Sequence, residues 1–218
     1  DTKTPVAAVI SALPIHGMNR QQAMMMGGAG TKPWMIVEQA DQTFDLQTLD
    51  LQVNEISADV DVLMVVHPKG LGLPTLYAID QFVMRGGRLL MFVDPFAEAD
   101  RPTPMVAQMG GFVRASNPDK LFEAWGIGYD PTKFVGDLQH ALTVRFQREG
   151  KLITTEYPAW IDLPQNNLSD TDATTSNVGK LVFGSAGALS VKDGSSLKMV
   201  ALASSSDQAM LMDVSEMD

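Results

Sequence analysis

The chain has 218 residues, 45% of them apolar, and a formal net charge of −10 with no cysteine. That charge argues against a phosphate-backbone partner bound by counterion release, and against an anionic lipid face gripped by a polybasic patch. Without thiols there are no disulfides, thiolate nucleophiles or cysteine-based zinc sites, while the apolar content suffices for a full core.

In chain order, Val6 to Leu13 predicts a short apolar strand stopped by Pro14. Residues 16 to 32 read as a brief helical stretch followed by a Gly-rich loop, and Pro33 to Ala40 as a helix with proline in its first turn. Phe44 to Leu49 is a second strand, and Val53 to Ala58 leads into the next unit. There, Val62 to Val66 is an apolar run followed by a Pro/Gly-rich loop. A helix follows with Pro74 in its first turn and Leu76, Ile79, Phe82 and Val83 on one face. Gly86-Gly87 stops it, and Leu89 to Val93 is a further apolar run. Two buried strands joined by a helical crossover form a βαβ unit, so the sheet is at least partly parallel and covered by helices. The first half therefore predicts an α/β fold with an open, mostly parallel, doubly wound sheet.

Residues 97 to 117 are a loop rich in Pro, Gly and Ala. Asn117-Pro118-Asp119 starts a helix carrying Leu121, Phe122 and Trp125 and closed by Gly126, and Phe134 to Asp137 is expected to add a strand to the sheet. Leu142 to Phe146 and Leu152 to Thr155 alternate around Glu149-Gly150, a hairpin signature. Gln165 to Asn177 is a polar surface loop. Leu181 to Phe183, Leu189 to Val191, Met199 to Leu202 and Met210 to Met212 are short strand or helix candidates. The expected organisation is a single domain over 1–218, with a doubly wound core at 1–137 and a β-rich C-terminal extension at 138–218.

No apolar run approaches the roughly 20 residues that cross a bilayer. The opening DTKTPV has neither a basic region nor an apolar one, so a processed chain or an excised soluble domain is expected. Most of the 14 methionines read as core and filler rather than copper ligands, the run Met24-Met25-Met26 included. Gly27-Gly28-Ala29-Gly30-Thr31-Lys32 fails as a phosphate loop because Thr precedes Lys and Pro33 follows. Gly184-Ser185-Ala186-Gly187 lacks the spacing of a nucleophile elbow and reads as a turn. The histidines His16, His67 and His140 never fall at a helical zinc spacing.

One constellation remains. His16 follows the first strand, His67 and Lys69 the third, and Asp94 and Glu98 the fourth. In open α/β sheets, ligands bind outside the carboxyl ends of the strands. His16, His67, Lys69 and Asp94 are therefore the candidate small-ligand residues, against the simpler reading of solvated strand ends with Asp94-Pro95 opening a turn. No metal or cofactor is expected.

The segment DVDVLMVVHPKGLGLPTLYAIDQFVMRGGRLLMFVDPF, Asp59 to Phe96, resembles the central signature of the gliding-motility-type ABC transporter auxiliary component family. The shared features are a strand ending in proline, a helix carrying Tyr-Ala-Ile-Asp-Gln, an Arg-Gly-Gly turn and a strand ending Asp-Pro. LFEAWGIGYDPTKFVGD, Leu121 to Asp137, resembles the next landmark. Order and spacing agree from about Pro5 to Asp137; beyond it, Tyr157, Trp160 and Gly179-Lys180-Leu181 fit loosely. The resemblance implies a flavodoxin-like or class I amidotransferase-like fold. It also implies an extracytoplasmic (periplasmic) position, tethered to the membrane through segments flanking this domain, and ABC permease and ATPase partners. It carries over no catalytic residue, because the amidotransferase nucleophile is a cysteine.

Two functions follow as expectations. The first is a non-enzymatic domain of an export or motility complex, binding a partner protein or a polysaccharide or lipid-linked cargo. The second is a hydrolase, with or without a metal, using Asp94 and a histidine at the sheet rim.

Overall fold

A computed structural model describes residues 4–17, 21, 24, 30–148 and 150–217. Met25-Met26, most of the helix and Gly-rich loop expected within 16–32, and Glu149 of the expected hairpin turn lie outside them. The chain divides into two compact units, Asp1–Val93 with Glu98–Leu121, and Asp94–Ala97 with Phe122–Asp218.

The first unit is built on four parallel strands: β1 Val6–Ser11, β2 Asp45–Thr48, β3 Val62–Val66 and β4 Arg88–Phe92, in the order β2-β1-β3-β4. The registers Val6↔Asp45, Ala7↔Val62 and Val62↔Arg88 align their starts. Helix α1 (Met35–Thr43) connects β1 to β2, and α2 (Leu73–Met84) connects β3 to β4. These connections run outward in opposite directions from the β1/β3 pair. Right-handed crossovers therefore place α1 and α2 on opposite faces.

Burial agrees. Val9, Met64 and Val66 share one face with Leu13, Ile15 and α1 residue Val37. Ala8, Ile10, Leu63 and Val65, on the alternate face, have no exposure and need the cover α2 supplies. β1 and β3 read as continuous apolar runs because both of their faces are covered. β4 departs from the expected buried strand: it is an edge, and its Arg88, Leu90 and Phe92 face is exposed.

The expected helical face is also turned by one position. α2 buries Thr75, Ala78, Ile79 and Phe82 rather than Leu76 and Val83. The Thr75 hydroxyl tolerates burial because it donates to the Leu51 carbonyl at 2.9 Å. Pro33 falls just outside α1, whose N-cap is Trp34.

Arg85-Gly86-Gly87 ends α2 by a mechanism visible in its bonds. The Gly86 amide donates to Val83 and the Gly87 amide to Phe82, the paired bonds of a Schellman cap, with Gly86 at φ 92°. Arg85 Nη2 donates to the carbonyls of Ile56 (2.8 Å) and Ser57 (2.6 Å), and its guanidinium lies 5.2 Å from the centre of the Phe82 ring. A Cβ on Gly87 would stand 2.5 Å from that ring, which is itself fully buried. Gly87→Ala is therefore expected to cost about 1–3 kcal/mol through overpacking, read as a lowered urea midpoint at unchanged slope.

After the sheet, the expected 97–117 loop contains a short helix, α3 (Pro104–Met109), capped by the Thr103 side chain. α4 (Asp119–Trp125) forms as expected and ends at Gly126 with φ 73°.

The second unit is antiparallel. β5 (Ile127–Tyr129) pairs with β10 (Leu189–Val191), and β6 (Lys133–Asp137) with β11 (Ala209–Asp213). β7 (Ala141–Arg148), β8 (Lys151–Pro164) and β9 (Lys180–Gly184) form a three-stranded sheet. The expected hairpin is β7–β8, closed at Arg148↔Lys151. Phe134 to Asp137 is a strand, but it does not join the parallel sheet; its partner is Met210 to Met212. Met199 to Leu202 forms no regular element, and Val200 is 74% exposed. The core here is Ile161, Leu163 and Leu168, packed with Val135, Leu181, Phe183 and Ala203.

Candidate functional site

At the carboxyl end of β3 the chain turns through His67-Pro68-Lys69. His67 has φ 52°, a left-handed conformation that costs a branched or bulky residue roughly 1–2 kcal/mol. It also leaves the imidazole only 2% exposed. Both ring nitrogens have partners: Nδ1 lies 2.9 Å from Ser116 Oγ, and Nε2 lies 3.2 Å from Asp100 Oδ2. A carboxylate only accepts, so Nε2 carries the proton and Nδ1 accepts from the Ser116 hydroxyl. Burial pushes the imidazole below its ordinary range, the hydrogen bond and charge of Asp100 push it back up, and the Lys69 ammonium pushes it down again.

Lys69 completes the network. Its Nζ donates to the same Asp100 Oδ2 and to the Val113 carbonyl, each at 2.5 Å, and lies 4.0 Å from the centre of the Phe112 ring. Between them, the Asn117 amide donates to the Pro68 carbonyl at 2.6 Å. Three consecutive residues thus grip residues 100–117 at five points: Asp100, Phe112, Val113, Ser116 and Asn117. The grip matters because α3, within that stretch, buries no residue. Polar and cation–π contacts hold the stretch alongside the one apolar anchor next to Ser116, the buried Ala115.

His16 and Asp94, the other expected site residues, each have a partner of their own. His16 Nε2 is 3.3 Å from Thr48 Oγ1, at the carboxyl end of β2. Asp94 belongs to the second unit, where its Oδ1 accepts from the Phe96 amide at 2.7 Å, a local turn. The structure joins His67 and Lys69 through Asp100, with Ser116 on the far side of the imidazole; neither Asp100 nor Ser116 stands out in the sequence, where Glu98, two positions before Asp100, is the nearest candidate. The available signal is the position of Asp100, which follows β4 at the carboxyl end of the sheet, where open α/β sheets in general bind ligands.

Ser116, His67 and Asp100 form a hydrogen-bonded line of the types used in nucleophilic catalysis. Ser116 is fully buried, however, with its hydroxyl engaged by the imidazole rather than open to solvent. Ser185, in the rejected elbow motif, is likewise buried in a turn at φ 51°, its hydroxyl donating to the Phe96 carbonyl. Among the described residues no group of three or more His, Asp or Glu is placed to hold a metal ion. No helix among them is long and apolar enough to cross a membrane.

In the second unit a polar node forms around Asp137, a carboxylate without exposure at the end of β6. Its Oδ1 accepts from the Ser206 hydroxyl (2.6 Å) and from the amides of Gln139 (3.0 Å) and His140 (3.2 Å). Its Oδ2 accepts from the Ser206 amide at 2.7 Å. Burial raises its proton affinity, but the Ser206 hydroxyl and the three amides outweigh that and hold the carboxyl below its usual range.

A model of the family described as ABC-type uncharacterized transport system matches residues 5–217. The match runs on past Asp137, where the sequence landmarks fit loosely. Neither a curated protein nor a solved structure matches the chain.

Proposed function

The chain belongs to the ABC-type uncharacterized transport system family, and from that premise we propose that it is a non-enzymatic, extracytoplasmic docking domain of an ABC transporter auxiliary component. The family match over 5–217 is the observation that carries this reading. Its partners are the permease and ATPase subunits of a membrane complex of the gliding-motility or export type, and its cargo a polysaccharide or lipid-linked substrate. The sheet order β2-β1-β3-β4, all parallel, supports a flavodoxin-like fold, whose strand order begins the same way.

The surface we assign to docking is the gripped segment. Met105 and Met109 are exposed by 72% and 76%, with Val106 and Val113 also exposed. Adaptable methionines on a helix that buries nothing of its own suit a partner surface. Tagged full-length protein, extracted from its native membrane in mild detergent, is expected to co-purify with the permease and ATPase. The Met105→Asp/Met109→Asp variant is expected to lose at least tenfold of that recovery. Wild-type protein that brings down no transport subunit would remove the proposal.

A further inference from the structure

The His67 turn holds residues 100–117 through one imidazole, one ammonium and one carboxylate that serves both. We propose that this turn is a proton-operated latch, gripping the segment while the His67 ring is neutral and releasing it when the ring takes up a second proton. The geometry sets the direction. The neutral ring accepts at Nδ1 from Ser116 and donates at Nε2 to Asp100, so every polar atom of the ring is satisfied.

A proton from solvent can add only at Nδ1, where the Ser116 hydroxyl now points its hydrogen. That hydroxyl must turn to accept instead. The charged groups facing the ring are Asp100, from the gripped segment, and Lys69, from the turn itself. After protonation two cations share one carboxylate, and the added charge sits on a side chain that is 2% exposed. A buried charge whose carboxylate is already shared with the Lys69 ammonium is only partly compensated and therefore costly, and α3 has no buried residue to hold its part of the segment once the grip weakens. The sign is that of a group whose proton affinity is lowered by folding. The grip is complete above about pH 6.5, the ordinary histidine value, and weakens as pH falls toward the lower folded value.

The latch acts on the segment assigned above to docking, but its test involves no transporter, so the two proposals fail separately. The chain has no cysteine, so Met109→Cys accepts a single spin label, and Met109 is exposed by 76%. The label spectrum is recorded between about pH 8 and pH 5, with His67 ring resonances followed by NMR over the same range. The label is expected to pass from slow to fast motion at the pH where His67 titrates, below about 6.5. The same label in His67→Asn, which tolerates a left-handed backbone, is expected to give one spectrum throughout. A His67 ring that titrates with no change in label mobility would overturn the latch. So would a ring that stays neutral to pH 5, or an identical transition in His67→Asn.

Discussion

Asp137→Ala is expected to remove about 3 kcal/mol of stability, because four donors converge on that carboxylate and lose it together. The side chain closes the end of β6, orders the 138–140 turn, and ties Ser206 in place just before β11 returns to pair with β6. For a chain of this length the loss corresponds to a fall in Tm of about 6–12 °C. Asp137→Asn keeps an acceptor oxygen and loses the charge, so it is expected to fall between. The wild-type acid limb has the same origin: a carboxyl lowered by folding contributes stability above about pH 3.9, and that contribution fades as pH falls toward its folded value. The alanine variant lacks this part of the limb. A Tm shift within 2 °C would show that Asp137 does not bear this role.

Asp100→Ala is expected to cost about 2–4 kcal/mol, because it leaves both the Lys69 ammonium and the His67 Nε2–H without their shared acceptor. The pair is partly sheltered, with Lys69 29% and Asp100 16% exposed, so the interaction exceeds that of a surface ion pair. A double-mutant cycle with Lys69→Met isolates it. The expected coupling is about 1–2 kcal/mol, and additivity within about 0.3 kcal/mol would contradict the geometry.

How much was legible in the sequence depends on the range of the contact that decides it. β3–α2–β4 was legible because its apolar runs, Pro74 and the Gly86-Gly87 cap are local signals, and the parallel register follows from the crossover. The buried face of α2 was read one position off because Thr75 is polar. Its burial depends on the Leu51 carbonyl, 24 residues away. Phe134 to Asp137 announces a strand, but strand propensity does not name a partner, and Met210 to Met212 is distant in the chain. β4 reads as buried because its residues are apolar, whereas its edge position is a property of the whole sheet.

The site divides the same way. His67 and Lys69 stood out because they follow a strand end. Asp100 and Ser116 lie 33 and 49 residues from His67 in a stretch without periodicity, and only the fold assembles them. The family was legible in the ordered landmarks up to Asp137, and the match extends that kinship to residue 217.

The His67-Pro68-Lys69 turn, through Asp100, holds residues 100–117 in place. Amide hydrogen exchange of the wild type, Asp100→Ala and Asp137→Ala, followed peptide by peptide, tests it most directly. The prediction is a selective loss of protection across 100–117 in Asp100→Ala, with the 204–209 region unchanged, and the reverse pattern in Asp137→Ala. Equal protection of 100–117 in Asp100→Ala and wild type would contradict it.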